Sequence, residues 1–123
     1  MAEKDLENNL FEIVNLLNQT MECPEEEKEI LLNLNLKAAK KSVEFSCFDS
    51  CVIYAEKAIS LLSSDKWTNH REESLELYSL CTEAHFSLSN IDEMKFYGDE
   101  VLKQPSLTEL EKVRVHSLSL IHI

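Results

Sequence analysis

The stretch FDSCVIYAEKAISLL, Phe48 to Leu62, decides the fold. Phe48, Cys51, Val52, Ala55, Ala58, Ile59 and Leu62 recur at steps of three and one, which gathers them on one stripe of an α-helix. The small residues Cys51 and Ala58 lie seven apart, where they let a second helix approach closely while larger neighbours fill the grooves. NIDEMKFYGDEVLKQP, Asn90 to Pro105, repeats that outline more loosely. Met94 and Val101 take the matching positions, Gly98 stands where a close helix contact is expected, and Pro105 ends the run.

Working outward, each of these segments acquires a partner. Upstream, Pro24 suits a helix start and Glu25, Glu26 and Glu27 suit its positive end, with Lys37, Lys40 and Lys41 towards the far end. The spacing predicts a helix from Pro24 to Val43, burying Ile30, Leu31, Leu34, Ala38 and Ala39. After Leu62 the segment SSDKWTN reads as a loop, and a further helix is expected from about His70 to Leu88. A first helix, 3–18, carries Leu6, Leu10, Ile13, Val14 and Leu17 on one stripe. A sixth, 107–122, is still apolar and periodic at Leu118, Leu120 and Ile121, so the natural protein is expected to continue past Ile123. Four capping pairs are expected at helix starts: Ser46 with Asp49, Asn69 with Glu72, Asn90 with Glu93, and Ser106 with Glu109.

The expectation is therefore an all-α chain forming one domain over 1–123, with about six helices. Hairpins over 24–62 and 70–104 are flanked by helices 3–18 and 107–122. Composition agrees: one glycine and two prolines leave little material for tight β-turns, and 44% apolar residues suffice for one modest core. Twenty-three acidic residues against 12 basic give a formal net charge of -11, which repels phosphate backbones and argues against a nucleic-acid partner. No stretch reaches the roughly 20 apolar residues of a membrane span, and MAEKDLENNL lacks a signal-peptide pattern. A cytoplasmic location follows as the expectation, with Cys23, Cys47, Cys51 and Cys81 remaining thiols.

The segment Phe48 to Leu62 resembles the second helix of a tetratricopeptide repeat, which implies antiparallel hairpins stacked as a right-handed superhelix. Read with LFEIVNLLNQ (Leu10 to Gln19), LNLKAAKKS (Leu34 to Ser42) and YAEKAISLL (Tyr54 to Leu62), the chain resembles the helical region of large multi-domain signalling kinases over Leu10 to Ile121. In that family a protein-kinase-like domain and an AAA-type or STAND-type predicted ATPase precede the helices, and sensory and histidine-kinase modules often follow. The resemblance implies context and no catalytic residue here. The chain departs from the alanine-rich family pattern around Ser46, Cys47, Ser50 and Cys51, and Ser89 stands where a turn glycine is usual.

No GxxxxGKS/T, GxGxxG, HExxH or GxSxG motif occurs, so neither a phosphate cradle nor a hydrolase elbow is expected. The sharpest metal candidate pairs Cys47 and Cys51 with Cys81 and His85, two i, i+4 pairs that would suit zinc if their helices packed antiparallel. The competing reading, which is preferred, treats these cysteines as small buried hydrophobes. Cys47 in a helix's first turn is the thiol-nucleophile candidate, again with packing preferred. His70, His116 and His122 lack partners at useful spacing. The paired acids Glu72 and Glu73, and Glu25 to Glu27, read as solvated helix starts. Trp67 is expected to pack beneath its loop.

The expected function is a non-catalytic protein-interaction or relay scaffold in signal transduction, with no cofactor, contacting neighbouring domains or a peptide or protein partner. Two alternatives are a zinc-binding or thiol-dependent sensor built on Cys47, Cys51, Cys81 and His85, and a free-standing adaptor that self-associates through the open face of the C-terminal helix.

Overall fold

The computed structural model describes residues 3–19 and 24–121. Every element among them is helical: α1 Glu3–Asn18, α2 Glu25–Glu44, α3 Phe48–Ser60, α4 Lys66–Asn69, α5 Arg71–Ser87, α6 Ile91–Leu102 and α7 Glu109–Ile121. None is long and apolar enough to cross a membrane. Seven helices replace the six expected, because one turn of helix forms inside SSDKWTN. That turn is held from outside its own sequence. The Trp67 ring lies 5.2 Å from Tyr78 of α5, and the Ser74 hydroxyl donates to the Lys66 carbonyl at 3.1 Å. Trp67 thus packs under the connection, as its bulk predicted.

The short link between α2 and α3 and that between α5 and α6 follow one plan. Ser46 and Ser89 take left-handed φ angles of 59° and 63°. In each turn two backbone bonds close the helix end: Ser46 N to Val43 O and Cys47 N to Ser42 O, then Ser89 N to Phe86 O and Asn90 N to His85 O. This is the Schellman arrangement, usually built on glycine, and it satisfies carbonyls that the helix end leaves open. The two serines lie 43 residues apart, 46 to 89. The same offset relates buried positions throughout both hairpins: Ala38 to Cys81, Ala39 to Thr82, Ser42 to His85, Cys51 to Met94, Ala55 to Gly98 and Ala58 to Val101.

The expected caps are corrected by these turns. Ser46 lies outside α3, whose N-cap is Cys47, and Asp49 instead accepts a bond from the Ser50 backbone. Asn69 belongs to α4 and bonds Asp65, so His70 occupies the N-cap of α5. Asn90 does stand at the N-cap of α6 but makes no side-chain cap bond there. At α7 the box shifts by two residues: Thr108 N donates to Glu111 Oε1 at 2.8 Å, and Glu111 N donates to Thr108 Oγ1 at 3.2 Å.

Packing alternates between two sets of helices. α2, α5 and α7 touch in succession, while α3 sits against both α2 and α5, and α6 against both α5 and α7. α1, α3 and α6 are joined by a repeated device. Tyr54 of α3 donates to Asn15 of α1, and Tyr97 of α6, its equivalent 43 residues on, donates to Glu56 of α3, each at 2.8 Å. One core gathers Val14, Leu32, Ala38, Ala39, Cys51, Ala55 and Leu77. A second gathers Tyr78, Val101, Leu107 and Val115. Each fully buried aliphatic side chain contributes roughly 1.5–3 kcal/mol.

Gly98 sits where those cores meet. A Cβ there would stand 3.3 Å from Val115 Cγ1 and 3.7 Å from Thr82 Cγ2, which explains the smallest side chain at the close contact the spacing predicted. Asn35, fully buried, is satisfied by reciprocal amide bonds with Asn18 at 2.8 and 2.9 Å and by donating to Leu31 O.

Candidate functional site

The four zinc candidates disperse. Cys47 is exposed at the start of α3, its Sγ 3.7 Å from the Phe45 carbonyl. Cys51 and Cys81 are wholly buried in the first core. Burial, reinforced by the Glu83 carboxylate, pushes the Cys51 thiol up to about 12. Burial and Glu56 raise Cys81 further still. Both shifts favour the neutral thiol over the thiolate. Among the described residues no group of three or more His, Cys, Asp or Glu side chains converges to hold a metal ion. Cys23 and His122 lie outside the described residues.

His85, the fourth candidate, belongs instead to a polar and aromatic cluster at the junction of α3, α5 and α6. Its ring stacks on Tyr97 with centroids 5.6 Å apart and planes 6° from parallel. Nδ1 faces the Asn90 amide at 3.2 Å, and Nε2 lies 3.5 Å from Glu56 Oε2 without a formed hydrogen bond. Tyr97 donates to that same carboxylate. Burial first, then its bond to Glu56, raises the Tyr97 phenol far above its ordinary range. Rings continue through Tyr78 to Trp67. The cluster brings a carboxylate, an imidazole and two phenols together, with the buried Cys81 thiol close enough to interact with Glu56 and Tyr97. Its chemistry is that of a joint between hairpins.

The remaining predicted sites are equally dispersed. His70 lies 3.6 Å from Glu29, and His116 lies 3.8 Å from Glu109. Glu72 and Glu73 fall in the first turn of α5, and Glu25 to Glu27 in that of α2, where the helix dipole stabilises them.

What sequence spacing missed is a charged face built across helices. Arg114 of α7 bridges two carboxylates of α5, Glu76 at 3.5 Å and Glu83 more closely. Arg71 of α5 reaches Glu111 of α7 in the opposite sense. On α2, a shallow depression is lined by Ile30, Asn33, Leu34, Leu36, Lys37 and Lys40. Ile30 is 62% exposed. Pairs separated by more than 30 residues leave no local pattern in the sequence, so only the tertiary packing reveals them.

At the coarsest level the described residues form an all-α structure. The chain matches no family model, no curated protein and no solved structure among those compared.

Proposed function

We propose that this chain is a tetratricopeptide-like helical-repeat module that works by protein contact, as a non-catalytic interaction or relay segment within a larger cytoplasmic signalling protein. The observation that carries the reading is the duplicated hairpin: turn, close helix contact and tyrosine joint all recur at an offset of 43 residues. A chain that repeats one packing unit builds an extended surface, which is the usual working part of such stacks. The offset exceeds the roughly 34 residues of a tetratricopeptide repeat. The 20-residue α2 and the connection carrying α4 account for the excess. The superhelical arrangement belongs to this reading, as does the signalling context that the resemblance implies.

Dispersal of Cys47, Cys51, Cys81 and His85 weighs against the sensor alternative. Exposed Leu110 and Val113 on α7, at 82% and 51%, favour self-association as the second reading. Cross-linking mass spectrometry on the native-length protein in its own cells separates them. Links from this segment to another protein or to other domains of the parent chain are expected. Copy-to-copy links through α7 would favour the adaptor, and links confined to the segment at every concentration would contradict both.

A further inference from the structure

We propose that the outer face of α2 is the docking site for an acidic, leucine-bearing segment of a partner protein. The assignment rests on the interaction reading and names its surface and the partner's chemistry. Ile30, Leu34 and Leu36 offer apolar area, Asn33 offers an amide, and Lys37 and Lys40 stand one turn apart beside them. Neither lysine has an ion pair among the described residues, in a chain whose net charge is -11. A local reversal of the field on a half-apolar face selects for a partner that is acidic and apolar together.

The internal repeat supplies an independent argument. Forty-three residues on, Asn33 and Lys40 correspond to Glu76 and Glu83 of α5. Those two carboxylates are occupied by Arg114, a cation from the next helix. At the same offset the counterpart of Arg114 is Arg71 of α5, the helix next to α2, and Lys40 carries the opposite sign to Glu83. In α2 the rim's sign is reversed at Lys40, and among the described residues no carboxylate pairs with it. The occupant that this charge selects is accordingly anionic, the acidic segment of a partner protein.

The test uses a fluorescein-labelled peptide of glutamate and leucine, followed by anisotropy with the full chain. Wild type should bind it, and the double variant K37E/K40E should bind at least about tenfold more weakly, the scale of two rim contacts turned repulsive. The double variant K57E/K95E makes the same change in net charge at two other lysines without ion pairs, and should stay within about threefold of wild type. Circular dichroism establishes that both variants are folded. Equal weakening in both, failure of wild type to bind, or equal binding of a lysine-and-leucine peptide would overturn the proposal. A partner found by cross-linking to contact another helix would end the α2 assignment while leaving the interaction reading intact.

Discussion

Ser46 and Ser89 hold a backbone conformation that costs an L-residue about 1 kcal/mol relative to glycine, and both side chains are exposed. Replacing each by glycine, S46G and S89G, should raise stability by about 0.5 kcal/mol per site after the extra freedom glycine gains when unfolded. Urea denaturation reads this directly, and a loss of stability at both sites would mean that the turns do not have this shape. In the sequence only Ser89 stands out, by resemblance, as replacing a turn glycine, while Ser46 reads as a helix cap. Their geometry depends on hydrogen bonds from Cys47 and Asn90 back to the helix ends. Of the three cysteines expected to pack as small core residues, Cys51 and Cys81 are buried, but Cys47 is exposed because it stands at the N-cap of α3, off the buried stripe. The surroundings of His85 were not legible, since Glu56 and Tyr97 come from other helices.

Among elements, the main helices form where the periodicity placed them, but Ile30, expected on the buried face of α2, is 62% exposed, and the expected capping pairs did not form as read. Ser106 with Glu109 has the capping spacing, yet Thr108 with Glu111 forms the box, because Glu111 is also drawn to Arg71 of α5. α4 escaped notice for a similar reason: one turn of helix has too few apolar residues to show a period, and its anchor is Tyr78. The Glu111 carboxyl is held below its ordinary pKa chiefly by the Thr108 backbone N–H, with Arg71 adding to the effect. A lowered folded-state pKa contributes stability that is present above the unfolded value of about 4.3 and lost as pH falls through the folded one. E111Q keeps the capping geometry without the charge. Its melting temperature should therefore lie below wild type at pH 7, and the gap should close in acid. A gap that stays constant across that range would show that the carboxylate's charge plays no part.

At the scale of the whole molecule, hairpins related by 43 residues share buried positions and a tyrosine, Tyr54 or Tyr97, that donates to an earlier helix, α1 or α3. Phe11 stacks on Tyr54 at 5.7 Å in the first joint, and Tyr78 meets Tyr97 edge-on at 5.6 Å in the second. The repeat was visible in the sequence at Cys51, Ala58, Met94 and Val101, where small or flexible residues permit close packing. The charged face was not, because Arg114, Glu76 and Glu83 meet only after α7 folds onto α5. Both the interaction reading and the α2 docking site depend on this duplication. Nuclear Overhauser contacts between aromatic rings test it most directly. The account predicts one set of contacts joining Phe11 to Tyr54 and a second set joining Tyr78 and His85 to Tyr97 in the same folded protein, Tyr54 and Tyr97 being related by the repeat. Finding the first set without the second, or Tyr97 in contact with neither ring, would contradict a repeated hairpin.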